Sequence, residues 1–593
     1  MTNTVINIDT IDGVILGTDD SLTVLTNGSI VNQSATIDGS SNSGGSVAIQ
    51  GYVDVGGIWL AAQGSVSIGA TGTFVGHDEV AIVLGANDTL DQFNGLNSLL
   101  NEGTIRSTQN GIEVYGNSNS LINSGRIIAA ETAITTHLDL ISATGSAIFN
   151  SGMILSSFGS AARLQNDSDT LTNSGSLLSS SSLAVTLEGD YQNIVNTGMI
   201  QGRTSAIEVS GAGCFVFNEG DIITSKGFFG SPDGSSAIKF TDTSDVGSVS
   251  NSGLIHASVA GIEAITDSIL FVTNSGTIEG VAFGIVTGVG FGRSVGAAGN
   301  TAIVNSGTIS GFYASLLLGD GDDYVLNTGV LDGAVMLGAG NDRIDTRHGT
   351  ISGTSLVAGV DGEILGGDGS DTYLIGDASI MLVEEVGVVG DEDTVGSTVS
   401  YQLGDNFEVL TLMGHQSIDG TGNVAANTIN GNSGDNRLSG RVGADRLVGA
   451  SGDDLLLGGR GNDKLIGGHG DDSLIGGEQK DKMGGGEGFD CFIFQSASNT
   501  GNTEATADVI FDFVSGSDVI DLSLIDAITT NVSGNEGFTF IGSESFSGVA
   551  GQLCYVALSP NTLVQFDLDG DSVADGIIVL NGIITLVDAD FAL

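Results

Sequence analysis

The chain of 593 residues carries 71 acidic against 16 basic residues, a net charge of −55. That balance excludes general affinity for nucleic acid and makes anionic membrane surfaces poor partners. The 94 glycines, only 2 prolines and 40% hydrophobic residues fit tight turns around a packed interior rather than disorder. Cys214, Cys491 and Cys554 lie far apart and give no disulfide framework, so they read as small buried hydrophobes.

Met1 to Gly13 holds no basic residue and no apolar core, and no apolar run has membrane-spanning length. The expectation is export without an N-terminal signal peptide. Residues 1–100 carry only degenerate repeats, the nearest being Asn27-Gly28-Ser29-Ile30, and are expected to form irregular first coils and a cap. From about residue 27 to 331 an Asn-Ser/Thr/Glu-Gly-x-Ile/Leu repeat recurs, with residues 101–310 expected as the regular parallel β-helix. Copies begin at Asn101, Asn123, Asn150, Asn173, Asn196, Asn218, Asn251, Asn274, Asn305 and Asn327, at spacings of 22 to 33 residues. Between them lie strands such as Gly111-Ile112-Glu113-Val114 and Ala206-Ile207-Glu208-Val209, and a third short strand leads into the next Asn. Three short strands and three turns per repeat make one coil of a parallel β-helix, with Ile and Val inward and Ser, Thr and Asn toward water. The repeated Asn tolerates a left-handed backbone and can bond from coil to coil, so it reads as structural.

Two long intervals predict surface loops. One spans Thr224 to Val249, with Lys226, Phe228, Phe229, Pro232 and Asp233; the other spans Val286 to Thr301, with Phe291 and Arg293. Over residues 311–400 the coils acquire Gly/Asp turns at Gly319–Asp323, Gly338–Asp342 and Gly366–Asp371, which makes Asp323, Asp342 and Asp371 candidate metal ligands. Residues 401–430 lead into seven nonapeptides that run from Gly431 to Ile493 without a slip in register. Glycine holds the fourth place at Gly434, Gly443, Gly452, Gly461, Gly470 and Gly488 and fails at Gln479. The sixth place is Asn436, Asp445, Asp454, Asp463, Asp472, Asp481 and Asp490; the eighth is Leu438, Leu447, Leu456, Leu465, Leu474, Met483 and Phe492. Glycines let a tight turn gather backbone carbonyls, aspartate adds a carboxylate, and the x-apolar-x triplet is a short strand. Oxygen-only ligands of this kind suit calcium rather than zinc or copper.

This block resembles the RTX (hemolysin-type) calcium-binding repeat, G-G-x-G-x-D-x-U-x, which Gly458 to Ile466 matches at every fixed position. The resemblance implies a flattened parallel β-roll in which repeats 18 residues apart stack and share calcium ions. It places Asp445, Asp463 and Asp481 in one column and Asp454, Asp472 and Asp490 in the other. Turn carbonyls at Gly443, Gly452, Gly459, Gly461, Gly468 and Gly470 would complete the shells. Residues 494–593 resemble the serralysin-type C-terminal domain through Asp508-Val509-Ile510-Phe511-Asp512-Phe513, Asp518-Val519-Ile520-Asp521-Leu522-Ser523 and Phe546 to Tyr555. The ending Ala589-Asp590-Phe591-Ala592-Leu593 resembles an uncleaved type I secretion signal, which implies the type I apparatus as a partner and an extracellular location. Asp567, Asp569, Asp571 and Asp575 suit either one more ion or a polar hairpin turn.

The expected fold is all-β: a right-handed parallel β-helix running into a calcium-binding parallel β-roll, with a C-terminal β cap. No His-Glu-x-x-His is present, and the six histidines are scattered. The Gly-x-Ser-x-Gly at Gly292 to Gly296 around Ser294 lacks the strand-to-helix setting of a nucleophile elbow. A Tyr-Gly-x-Asp-Pro-His run of alginate epimerases is absent too. The sequence therefore favours a secreted calcium-binding structural or adhesive protein, with surface polysaccharide or other cells as partners. The alternative is a β-helix polysaccharide lyase or uronate epimerase. Carboxylates lined along the helix groove with Arg or Lys beside them would favour that alternative.

Overall fold

The computed structural model describes residues 3–6, 14–15, 20–25, 29–39, 45–60, 63–84, 97–116, 118–137, 145–224, 235–241, 246–264, 269–288, 299–353, 362–385, 390–528 and 536–593. Lys226, Phe228, Phe229, Pro232, Asp233, Phe291, Arg293 and the Ser294 motif lie outside them, as do Asn27 and Gly28. The described residues contain no α-helix, and almost all regular structure is parallel β. The fold is a β-solenoid in two compact units, residues 1–340 with 349–365 and residues 341–348 with 366–593.

In the first unit each coil contributes three strands, for instance Ser120–Asn123, Arg126–Ala129 and Ile134–His137. Each pairs in parallel with its counterpart one coil on. Alternation places every second side chain inside, and one inward column runs Ile105, Ile127, Ile154, Leu177, Ile200, Ile222, Ile255, Ile278, Ile309, Leu331, all fully buried. Such runs of like side chains bury apolar area on both neighbours at once, so each coil depends on the next.

The asparagine repeat forms an unbroken buried ladder. Each Nδ2 donates to the Oδ1 one coil on, from Asn101 to Asn123 at 2.7 Å through Asn305 to Asn327 at 2.8 Å. The same amide also meets carbonyls of the turn, as Asn196 does at Gly198 O and Asp221 O. The described strands within the first hundred residues stack in the same register, with Ser21–Val24, Ser46–Ile49 and Ser65–Ile68 before Ser98–Asn101. There Val24, Ile49 and Ile68 occupy the ladder place, fully buried, which is why the repeat reads as degenerate.

In the second unit successive nonapeptides alternate between two parallel sheets. Arg446–Ser451, Lys464–His469 and Lys482–Glu487 stack in one; Arg437–Val442, Leu455–Arg460 and Ser473–Glu478 stack in the other. The eighth-place residues from Leu438 to Phe492 are fully buried between them. The roll continues past Ile493: Asp508–Ile510 extends one sheet, and Val519–Asp521 followed by Phe591–Ala592 extends the other. An antiparallel meander of Gln552–Leu558, Asn561–Asp567 and Gly576–Asn581 covers the end. The chain's last strand is thus part of the roll, with Asp590 fully buried and accepting from Ser515 Oγ, Gly516 N and Val587 N.

Candidate metal centres

The sixth-place aspartates stand immediately before a strand, which the positive-φ turn ahead of them aims inward. Gly459, Gly461, Gly468 and Gly470 have φ between 108° and 152°, and Gly443 and Gly452 share the region at 137° and 109°. A Cβ on Gly461 would fall 1.5 Å from Gly443 O, and one on Gly470 would fall 2.1 Å from Gly452 O, so turn carbonyls of one coil face the turn of the next. Gln479 keeps φ at 81°, so the turn without a fourth-place glycine retains its course.

Two carboxylate columns result. Asn427 N donates to Asp445 Oδ1 at 2.7 Å, Asp445 N to Asp463 Oδ1 at 2.8 Å and Asp463 N to Asp481 Oδ1 at 2.8 Å. In the other, Asn436 N donates to Asp454 Oδ1, Asp454 N to Asp472 Oδ1 and Asp472 N to Asp490 Oδ1, at 2.7 to 3.0 Å. One oxygen of each carboxylate therefore caps the preceding coil. The other, Oδ2 of Asp445, Asp454, Asp463, Asp472, Asp481 and Asp490, is buried with no hydrogen-bond partner. A buried carboxylate oxygen without a partner is strongly unfavourable unless a cation or proton meets it.

The space around that oxygen is reserved. A Cβ on the first-place glycine five residues earlier would fall 2.1 to 2.5 Å from it, at Gly440, Gly449, Gly458, Gly467, Gly476 and Gly485. Carbonyls of the following coil, such as Gly476 O beside Gly458, face the same place. The donors are oxygens only, a set that fits a hard divalent cation. Burial pushes the Asp454, Asp463 and Asp490 carboxyls up to about 6 and those of Asp472 and Asp481 up to about 7. Asp445 is raised by the same cause.

The columns extend beyond the nonapeptides. Asp481 N donates to Asp508 Oδ1 and Asp490 N to Asp518 Oδ1, and Asp508 Oδ2 is again buried and unpartnered. Burial pushes the Asp508 carboxyl up to about 8. Spacing alone singles out neither residue, because these steps span 27 and 28 residues instead of 18.

The candidates of residues 311–400 occupy different settings. Asp323, in the first unit, accepts from Thr301 N, and burial pushes it up to about 7. In the second unit Asp342 N donates to Asp371 Oδ1 at 2.7 Å, and Asp371 N to Asp393 Oδ1 at 2.8 Å. Asp371, Glu384 and Asp393 are buried with carboxylate oxygens within 4.8 Å of one another, and the Tyr373 hydroxyl donates to Asp371 and Glu384. Burial, aided by the neighbouring carboxylates, pushes Glu384 up to about 8 and Asp371 and Asp393 to about 6. Glu384 lies outside every repeat. Asp567, Asp569 and Asp571 are engaged by the N–H groups of Gly570, Ser572, Asp571 and Val573, as a polar hairpin turn requires.

In the first unit the third strands of successive coils carry a strip of charge. Glu113 lies beside Tyr115 and His137, Arg163 pairs with Glu188 at 2.7 Å, and Lys239 stands 3.7 Å from Glu263. Glu113, Thr135, Arg163, Thr186, Glu208, Lys239 and Glu263 are in direct register.

Residues 405–593 match the family model described as Peptidase M10 serralysin C terminal, so the chain carries a serralysin-type C-terminal domain. No curated protein matches the chain. Among solved structures, the solution structure of the AlgE6R3 subunit from the Azotobacter vinelandii mannuronan C5-epimerase is similar at 24% identity, over 30% of this chain and 80% of that one, with a TM-score of 0.19. Among the described residues, no helix is long and apolar enough to cross a membrane.

Proposed function

We propose that this is a secreted, calcium-dependent β-solenoid that acts as a structural or adhesive protein at a bacterial cell surface or in its matrix. The observation that carries the reading is the pair of aspartate columns, each aspartate offering a buried oxygen that no partner among the described residues satisfies. Calcium held by Asp445, Asp463 and Asp481 on one side and Asp454, Asp472 and Asp490 on the other would neutralise them. Turn carbonyls from Gly443, Gly452, Gly459, Gly461, Gly468 and Gly470 would add oxygen ligands, and Asp323, Asp342 and Asp371 would serve smaller sites. Extracellular modules of this kind bind in roughly the 10⁻⁴ to 10⁻³ M range, so the roll would be empty in the cytosol and filled outside. The test is circular dichroism of the full chain through a calcium titration from chelator upward. A gain of β signal with calcium is expected; identical β content in chelator sinks the reading.

Export follows from the same switch. With the roll unfolded at low calcium, Asp590 to Leu593 would be accessible to a type I exporter, whereas in the folded roll Asp590 and Phe591 are buried. The serralysin-type domain supports this route.

A second reading, a groove acting on an acidic polysaccharide, is favoured by one observation, the strip that sets Arg163 and Lys239 among Glu188, Glu208 and Glu263. Cations beside carboxylates are what such a substrate would require. Incubating the calcium-loaded protein with a panel of uronate polymers tests it: new unsaturated ends or altered uronate composition would establish the enzyme.

A further inference from the structure

We propose that the first-strand face of the N-terminal unit is a self-association surface on which a second copy of this chain docks. Thirteen stacked strands form it, from Ser21–Val24 to Tyr324–Asn327, and not one contains Asp, Glu, Lys, Arg or His. In a chain with 71 acidic residues that is a systematic exclusion. The other two faces of the same coils are charged, with Arg126, Asp221 and Glu279 on second strands and Glu113, Arg163 and Lys239 on third strands.

The face is also apolar where it meets solvent. Leu100, Ile122, Phe149 and Phe217 share one outward row, and Phe215 and Phe271 share the next. Their exposures run from 38% to 52%, among serines, threonines and asparagines. Isolated apolar residues on a surface need no explanation. Leu100, Ile122 and Phe149, however, are adjacent in their row, which passes Thr172 and resumes through Val195 to Phe217. An apolar patch of this kind marks an interface.

Area and charge select the occupant. Thirteen strands at about 4.8 Å, each about 13 Å long, give about 800 Å². That is close to the ~800 Å² each partner contributes to a standard interface. Two copies that each carry −55 repel one another in general, whereas the thirteen strands of this face meet their twins without opposing carboxylates. A two-fold pair sets the same patch against itself, so a face complementary to itself in charge and polarity closes as a dimer. This pairing is independent of calcium binding and of any polysaccharide.

Sedimentation velocity of the calcium-loaded full chain, from micromolar to near-millimolar concentration, tests the proposal. A species of twice the 59.7 kDa chain mass is expected, strengthened by salt as the remaining faces are screened. Phe217→Glu and Phe217→Lys should each weaken the dimer by ~10-fold or more, since either charge is desolvated on closure. Circular dichroism and melting temperature should stay unchanged, because the side chain points outward. Phe312→Glu, at an exposed aromatic on a different strand, should leave the dimer intact. A wild type that stays monomeric across the range overturns the proposal, as does a dimer that survives both Phe217 variants or is lost in Phe312→Glu.

Discussion

Replacing Asp463 by asparagine separates the two tasks its carboxylate performs. Oδ1 caps Asp445 N at 2.8 Å, and an amide oxygen keeps that bond. Oδ2 has no partner, and an amide nitrogen there would face Gly476 O. The slot already has native amides: Asn436 donates through Nδ2 to Ile418 O at 2.7 Å, and Asn427 to Phe407 O at 2.9 Å. The carboxyl's ordinary value of 3.8 rises to about 6 in the folded roll because burial disfavours the ion. Folding in chelator therefore takes up a proton, and the stability this secures is complete below pH 3.8. It is lost as pH rises through about 6. Above that range the buried ionised group costs about 3 kcal/mol, since each tenfold weakening of its acidity corresponds to about 1.4 kcal/mol.

Asp463→Asn should therefore stabilise the metal-free roll at pH 8 by about 2 to 3 kcal/mol and change it little near pH 4. With calcium the sign reverses, since a ligand of one ion is lost and neighbouring coils loosen with it. Circular dichroism of full-length wild type and variant reads the β content in chelator at both pH values, and urea unfolding reads the stability in calcium. A variant with less β signal than wild type in chelator at pH 8 would refute the claim that Oδ2 is an unmet charge.

Three further outcomes follow. Asn196→Ile should destabilise its coils by about 2 to 4 kcal/mol, leaving Asn218 Oδ1 buried without a donor. Asn101→Ile should be milder, because Asn101 Oδ1 already lacks a partner next to Ile68; equal losses by hydrogen exchange would contradict this. Gln479→Gly should raise the calcium-loaded melting temperature, by relieving a positive φ worth about 1 kcal/mol, and an unchanged or lower melting point counts against the strain. Deleting the last fifty or so residues should hold the protein in the cytoplasm while deleting residues 1 to 20 should not, which immunoblotting of cell and medium fractions decides.

Where the same residue type returns at a fixed place, the fold was legible. The ten ladder asparagines and the eighth-place apolar residues all stand where periodicity put them, because stacking forces equivalent residues into equivalent settings. The two columns, which the RTX resemblance implied, run at an 18-residue step in the roll. Coils whose chemistry changes without a change of geometry stayed hidden. Val24, Ile49 and Ile68 fill the asparagine place with apolar volume, so the coil persists while its motif vanishes. Asp508 and Asp518 keep the slot but lengthen the spacing, and Glu384 reaches Asp371 only through tertiary structure.

The candidate ion columns are best understood as an alteration of a capping device that both units already use. In the first unit some residues just ahead of a first strand accept the backbone N–H of their counterpart one coil earlier: Asn119 from Asn97, Asp169 from Ser146 and Asp323 from Thr301. For two of them the second side-chain atom is met from within the chain, Asn119 Nδ2 by Gly116 O at 2.6 Å and Asp169 Oδ2 by the Thr136 hydroxyl at 2.5 Å. In the roll the first atom does the same work, but a glycine five residues earlier withholds the side chain that would meet the second. In the proposed calcium reading, an ion site combines a carboxylate in the cap slot, a missing Cβ beside it and the carbonyls of the neighbouring turns. On that reading, a coil of the roll would lose its ion site through the aspartate or the glycine without a change in its strands.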